Sequence, residues 1–471
     1  MAAPRGYAKS VFAVVIEPIH SICYGLEKYI CIFSHTDDQA VAKVKDIRTE
    51  LLNNAPLIAD FRIRFADAKP AKTAFVVWAG SHDCQVSAFG SAAELRGVRY
   101  GAHRPSLIIL DDYEHSDYSQ KEELREKERN RYFEVVSNLG DPQTNIDYVG
   151  TILHSDSLLS NLLKNPAYDG RLYKSVISWS QREDLWAEWE RIYWDIDRPT
   201  RKEDADAFYA AHESELLKGA EVLWPEKEPY LYLMKEIAEK GRRAFMKEKQ
   251  NTPLGHDEQV FQVIHYFQEV KEGLKIECSG VIIPWAELKF SAYGVCDPST
   301  GQVKAKTGSK GDFTCILLGY QDNKGRVFVF YDYTRREAPT KWISEIFNLE
   351  ETLADGFVKF GVETNLYRNL LLPNLIDERK RREKETGKIV KIPFYDIEQV
   401  ENKEKRIYQL EPKVSHGWIL FNRALSKEAM GQLQEFPFGA HDDFPDAVEM
   451  LWGLANNRYE AGGINKSINK R

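Results

Sequence analysis

The chain has 471 residues, of which 43% are hydrophobic, 29% charged and 12% aromatic, and its net charge is −8. This is enough apolar sequence for more than one core and too aromatic a composition for disorder, so a peptide scaffold and an unfolded chain are both excluded. No apolar run approaches the roughly 18 residues that a membrane span needs, and the six cysteines are scattered without a CxxC pair, which argues for a reducing compartment rather than a zinc ribbon or disulfide framework.

The acidic balance gives no global attraction to nucleic acid, so a polyanion would have to be held locally. Basic patches occur at 240–249, 377–391 and 456–471, and each is by default a solvated face or tail.

At the start of the chain, Gly6-Tyr-Ala-Lys9-Ser10 precedes an apolar run. Small residues let backbone N–H groups approach a phosphate, a lysine reaches its outer oxygens, and a hydroxyl binds the accompanying magnesium. Against the pattern GxxxxGK[ST], the glycine positions fall on Ala3 and Ala8, so the match alone is weak. A strand is predicted over 28–34, followed by a helix over 37–53 with Val41, Val44, Ile47, Leu51 and Leu52 at helical spacing and Thr36 or Asp37 as cap. Apolar runs at 75–78 and 106–110 complete a pattern of strands separated by helices, which predicts a parallel sheet covered on both faces.

Leu107-Ile-Ile-Leu-Asp111-Asp112-Tyr-Glu114 is an apolar strand delivering carboxylates at its C-terminal end. One could hold Mg²⁺ and the next could orient an attacking water. A further strand, Ile146-Asp-Tyr-Val-Gly150-Thr151, ends in a small residue and a hydroxyl, a position suited to sensing the outer phosphate. From 180 to 250 the sequence reads as a largely helical connector.

A second α/β pattern begins at 291, with strands predicted over 292–297, 314–321 and 326–333 as a meander, a helix over 340–354, a strand over 358–363 and a closing helix over 444–456. Asp297 and Glu363 end two of these strands, and His441-Asp442-Asp443-Phe-Pro-Asp446 opens the last helix. Acids on separate elements suit a pair of divalent ions roughly 4 Å apart, which would activate a water and stabilise the leaving oxygen of a phosphodiester. Singly, each is more simply a turn or cap residue. Asp312 is a further candidate ligand.

The order of these motifs, together with Phe33-Ser-His-Thr-Asp-Asp-Gln-Ala40, the stretch from Ala93 to Asp112 and Phe245-Met-Lys-Glu-Lys-Gln-Asn-Thr-Pro253, resembles the large subunit of tailed-bacteriophage terminases over about 4–454. The resemblance implies an α/β protein in which an ASCE P-loop ATPase domain at 1–180 is joined by a helical connector at 181–280 to an RNase H-like nuclease domain at 281–457, with a flexible basic tail at 458–471. It implies ATP and Mg²⁺ as cofactors, with Mn²⁺ as the alternative nuclease metal. Arg5, Gly6, Lys9, Ser10, Asp111 and Thr151 would contact nucleotide, with Ser10 and Asp111 on Mg²⁺. Asp297, Glu363, Asp443 and Asp446 would be the nuclease ligands, and Arg379, Lys380, Arg381 and Arg382 the first choice for DNA contact.

The sequence departs from the family pattern twice. The family usually places Glu directly after the Mg²⁺ carboxylate, whereas Asp112 follows here and Glu114 comes two residues later, so either would be the water-orienting acid. The family also usually carries a segment ahead of the phosphate loop, so ATPase activity is expected to depend on such a segment.

The implied function is a genome-packaging motor subunit that translocates double-stranded DNA into a procapsid and cuts concatemers. Its expected partners are the terminase small subunit, the portal protein and further copies of itself in a ring, with Arg99 or Arg104 as the arginine finger. It would work in the cytoplasm of the infected host, away from membranes and outside the mature virion. The rival readings are an RNase H-like nuclease or resolvase with an inactive ATPase half, and a portal-docking scaffold whose acids are structural.

Overall fold

The computed structural model describes the chain except residues 68–70, 96, 115–121, 253–258, 289–291, 300–312, 354–355, 364–367, 388–389, 391, 400–401 and 460–471, with residues 368–372 described as backbone only. Asp312 and the basic tail from 460 lie outside the described residues. The chain forms two units: Met1–Gln181 with Gly219–Met234 and Phe245–Gly255, and Arg182–Lys218 with Lys235–Ala244 and His256–Arg471. The connector expected at 181–280 is therefore divided between them.

The first unit is built on β1 (Tyr29–Ser34), β2 (Ile63–Phe65), β3 (Ala74–Ala79), β4 (His82–Gly90), β5 (Leu107–Asp111) and β6 (Asn145–Val149), in the order β2-β3-β4-β1-β5-β6. β1 lies parallel to β4 and β5, and β5 parallel to β6. The sheet is not wholly parallel as predicted, because β3 pairs antiparallel with both β2 and β4.

β1 is buried along its whole length. Ile30 and Ile32 join Val44, Ile47 and Leu51 of α2 (Asp37–Asn53) in one core, while Cys31 and Phe33 join Ile108, Leu110 and Tyr132 in another, as a period of two requires of a strand covered on both faces. Thr36 caps α2 by accepting the Gln39 N–H. Around the sheet lie α1 (Glu17–Cys23), α3 (Ala55–Phe61), α4 (Glu122–Glu134), α5 (Leu158–Lys164) and a small ladder of β7 (Val176–Ser178) with β8 (Glu221–Val222). Ala2 bridges Gly150 and Leu172 in parallel, so the segment entering the loop over residues 3–10 lies beside the exit of β6.

In the second unit, β9 (His265–Val270), β10 (Gly273–Ile276), β11 (Ile282–Pro284), β12 (Ala292–Asp297), β13 (Thr314–Gln321), β14 (Val327–Arg335), β15 (Phe357–Glu363), β16 (Phe394–Ile397) and β17 (Ile419–Asn422) form one sheet ordered β11-β10-β9-β17-β14-β13-β12-β15-β16. β12, β13 and β14 form an antiparallel meander, and β15 and β16 continue from β12 in parallel. A meander followed by two parallel strands is the RNase H-like arrangement. β9 and β10 fall within the stretch expected to be connector, yet they belong to this sheet.

Helices α6 (Glu183–Tyr193) and α7 (Arg201–Leu216) pair with each other, and α8 (Tyr230–Lys240) and α9 (Arg242–Glu248) follow them in the chain. α10 (Pro339–Thr352) packs with α11 (Arg368–Thr386). After α12 (Lys403–Tyr408), α13 (Glu411–Ser415) and α14 (Lys427–Glu435), α15 (Asp443–Ala455) crosses β12 and β13. Phe444, Ala447, Val448, Leu451 and Leu454 of α15 are buried against Val295 and Leu317. Each large side chain among them contributes about 1.5–3 kcal/mol by leaving water. That burial fixes the first turn of α15 over the sheet.

Candidate functional site

In the first unit the loop over residues 3–10, expected to cradle phosphate, turns where its residues allow it. Gly6 has φ +89°, the left-handed region that glycine enters freely, but Ala8 also has φ +56°, at the position where the pattern calls for glycine. Ala3, at the other such position, is buried and donates its N–H to the Gly150 carbonyl at 3.1 Å.

The loop delivers Lys9 and Ser10 to the ends of β5 and β6. Lys9 Nζ donates to Thr151 Oγ1 at 3.2 Å and lies 3.6 Å from Asp112. Ser10 Oγ donates to Asp111 Oδ1 at 2.8 Å. Asp111 is completely buried, whereas the Asp112 side chain is half exposed. Ser10, Asp111, Asp112, Thr151 and Arg5 line a cavity of about 530 Å³, within the range of a small-ligand site.

The loop is braced from below. Lys249 Nζ bonds Glu228 at 2.6 Å and the Arg5 carbonyl at 3.3 Å, and Lys227 donates to the Gly6 carbonyl. The Arg5 side chain is exposed and faces Glu248 at 3.5 Å.

Glu114 borders the cavity, yet its oxygens are already engaged. It accepts the N–H groups of Leu158 at 2.6 Å and Leu159 at 2.9 Å and the Tyr148 hydroxyl at 2.9 Å, so it anchors the N-terminus of α5. Burial pushes its carboxyl above the usual range while those bonds act in the opposite sense. Of the two expected candidates, Asp112 is the carboxylate with free access to the cavity.

One residue at this site is absent from the expected set. Lys43, on α2, places its ammonium 2.5 Å from Asp111 Oδ2 and 2.6 Å from Ser34 Oγ. It sits one residue before Val44 in the buried stripe of α2, so the helical period could have placed it at the end of the sheet.

In the second unit the four expected acids come from three elements. Asp297 ends β12, Glu363 ends β15, and Asp443 and Asp446 occupy the first turn of α15. Asp297, Asp443 and Asp446 are all buried. Burial drives the Asp297 carboxyl well above its ordinary range, and repulsion from Asp446, Glu363 and Asp443 adds to this against the pull of Lys403. Asp446 is raised to about 6, again by burial first.

Lys403 stands among these acids, 2.9 Å from Asp442, 3.4 Å from Asp446 and 3.9 Å from Asp443. Arg406 NH1 lies 2.9 Å from both Asp446 and Glu449. Neither basic residue nor Glu449 stands out in the sequence, because α12 and α15 are distant in the chain and only the fold brings them together. Beyond Asp443, Phe313 donates its N–H to Asp443 Oδ2 at 3.4 Å, and Arg336 lies 3.8 Å over the Phe313 ring and 2.7 Å from His441.

Among the described residues, no three His, Cys, Asp or Glu side chains are grouped to hold a metal ion as they stand. The donor chemistry still fits hard divalent cations: the acids are oxygen ligands, three of them buried, repel one another, and include Asp446 Oδ1, which is ion-paired but has no aligned hydrogen bond.

The basic run on α11 needs correction. Arg382 is buried and bonds Glu378, Glu351, Ser344 and Asn348, so its guanidinium is withheld from a DNA backbone. Arg381 is exposed but bidentate to both Glu378 and Glu385, and Arg379 faces Glu383 at 3.7 Å. Lys380 is exposed. Of the expected arginine fingers, Arg99 is exposed and Arg104 reaches the carbonyls of Asn138 and Gly140 at 3.4 Å.

The two units thus define a class: a mixed-sheet α/β fold and an RNase H-like α/β fold in one chain. No protein-family model and no curated protein matches the sequence. Among solved structures, the chain is similar to the large terminase of a thermophilic bacteriophage, with TM-score 0.45 and 10% identity over 96% of this chain and 92% of that one. It is also similar to the human cytomegalovirus terminase nuclease domain, with TM-score 0.27 and 12% identity over 38% of this chain and 90% of that one. A third likeness is to the yeast mitochondrial Holliday junction resolvase, with TM-score 0.24 and 13% identity over 39% of this chain and 83% of that one. No helix among the described residues is long and apolar enough to cross a membrane.

Proposed function

We propose that the chain is a viral genome-packaging motor subunit of the terminase large-subunit type, coupling ATP hydrolysis to movement of double-stranded DNA and cutting that DNA at a metal-dependent nuclease site. The observation that carries this reading is the hydrogen bond from Ser10 to Asp111, which joins loop and strand carboxylate across one cavity in a chain that also gathers four acids at the ends of an RNase H-like sheet.

In the first unit Lys9 and the loop N–H groups would bind the outer phosphates, Ser10 and Asp111 would hold Mg²⁺, and Asp112 would accept a proton from the attacking water. Thr151, bonded to Lys9, would report the state of the outer phosphate. In the second unit Asp297, Glu363, Asp443 and Asp446 would hold Mg²⁺ or Mn²⁺. The ions would supply charge neutralisation and an activated water. The protein's own contribution is a set of carboxylates delivered from β12, β15 and α15, three of them buried, with Lys403 and Arg406 limiting their repulsion in the absence of metal. The small subunit, the portal and further copies in a ring are the proposed partners, and the host cytoplasm the proposed place of action.

A second reading, a nuclease or resolvase with an inactive ATPase half, is favoured by one observation, the left-handed Ala8 where a phosphate loop uses glycine. Paired variants of the full chain separate the two. Lys9→Ala should abolish ATP hydrolysis and leave plasmid cutting in Mn²⁺, whereas Asp297→Ala or Glu363→Ala should do the opposite. ATP turnover unaffected by Lys9→Ala would favour the nuclease-only reading, and cutting that survives both acid variants would remove the nuclease assignment.

A further inference from the structure

The Asp111 carboxylate is divided between two partners. Oδ1 accepts from Ser10, and Oδ2 lies 2.5 Å from the ammonium of Lys43. This ammonium is fixed in place: it also donates to Ser34 Oγ at 2.6 Å and to the Asp111 carbonyl at 3.3 Å. Ser34 and Asp111 are both fully buried at the ends of adjacent parallel strands, so Lys43 is built into the cavity wall.

A carboxylate removed from water is costly unless a cation stays with it. A phosphate-loop site ordinarily meets that need with the divalent ion that arrives with the nucleotide. Here the second negative charge of the site, Asp112, faces Lys9 at 3.6 Å, and Asp111 has a lysine of its own. Both of these carboxylates are therefore already matched by an ammonium.

Resting on the nucleotide-site reading above, we propose that Lys43 is a tethered counter-ion for Asp111 that lets the cavity take nucleotide phosphates without a divalent cation, leaving the metal to act in hydrolysis rather than capture. Without Lys43, an incoming polyphosphate would meet an uncompensated buried carboxylate beside Ser10. With it, the ammonium lines the cavity and can be shared between Asp111 and a phosphate oxygen.

The test is equilibrium binding of a fluorescent ATP analogue to the full chain, in excess EDTA and in Mg²⁺, for the unaltered protein, Lys43→Met and Lys43→Arg. Thermal melts confirm that each variant folds. The unaltered chain should bind in both buffers. Lys43→Met should lose about tenfold or more in EDTA, the weight of one charged hydrogen bond, with a much smaller loss in Mg²⁺. Lys43→Arg should recover most of the EDTA binding.

Equal losses in the two buffers would mean that Lys43 merely supports the fold of the site, and would overturn the proposal. So would binding by the unaltered chain in Mg²⁺ but not in EDTA, a result that needs no variant. Absence of binding in either buffer would instead remove the nucleotide site itself, and the proposal with it.

Discussion

Glu17, in the first turn of α1, is hydrogen-bonded to Asp147 on β6, so two carboxyl groups share one half-buried position. Burial first, then repulsion from Asp147 and Glu27, lifts Glu17 to about 7. The folded chain therefore holds a proton that the unfolded chain releases near the ordinary glutamate value. Stability contributed by this group is fully present below about pH 4.5 and is lost as pH rises towards 7. Glu17→Gln should raise the melting temperature at pH 8 and leave it nearly unchanged at pH 4.5. A melting curve that shifts equally at both values would show that the residue acts by packing instead.

Ala8 precedes Lys9 with φ +56°, a conformation in which a Cβ crowds the following carbonyl. The residue is exposed, so removing its methyl sacrifices no burial. Relief of strain outweighs the extra freedom that glycine gives the unfolded chain, and Ala8→Gly should stabilise the protein by about 1 kcal/mol. Chemical denaturation checks this, and a loss of stability would mean that the loop holds its shape without strain at Ala8.

The elements legible from sequence are those with a strong period or a clear cap. α2 runs over the predicted 37–53 because its apolar residues recur at helical spacing, and β12 and β13 match their predicted ranges because each is a short, nearly continuous apolar run. β4 is not legible because His82-Asp-Cys-Gln-Val-Ser-Ala-Phe-Gly90 mixes small and polar residues and is held by its neighbours rather than by its own pattern. The same limit explains the sites. Asp111 and Asp297 stand at the ends of apolar strands and can be seen, whereas Lys403 and Arg406 sit on a helix whose local pattern gives no reason to single them out, and Lys43 is hinted at only by its place beside the buried stripe of α2. Arg381 and Arg382 mislead for the converse reason: the acids that pair with them, Glu378, Glu385 and Glu351, become partners only once α11 forms and docks on α10.

Within that run, stability and DNA binding should separate by residue. Arg382 joins α11 to α10 through Glu351, Ser344 and Asn348, and Arg382→Ala should cost about 1 kcal/mol or more by removing a buried guanidinium and the hydrogen bonds with which it bridges the two helices. Lys380 is exposed, so Lys380→Ala should leave stability within about 0.5 kcal/mol. If α11 meets DNA at all, Lys380→Ala should lower the salt slope of binding by about one. A stable Arg382→Ala protein, or an unchanged slope for Lys380→Ala, would remove the respective role.

Arg406 presents the sharpest energetic test, because its guanidinium is buried between Asp446 and Glu449, with NH1 2.9 Å from each. Glu449 has a second cation in Arg458, and Asp446 has a second in Lys403 at 3.4 Å, so neither acid depends on Arg406 alone. Arg406→Met keeps the bulk of the side chain but leaves two buried carboxylates short of one positive charge. Breaking a buried pair in this way costs about 3 kcal/mol, whereas removing both partners together is often close to neutral. Urea unfolding in EDTA should show that loss for Arg406→Met and recovery of most of it in Arg406→Met with Glu449→Leu, a coupling that independent sites would not give. If the single variant lost less than about 1 kcal/mol, or if the double variant were simply the sum of two losses, the acids would be held apart by the fold of α15 and not by Arg406.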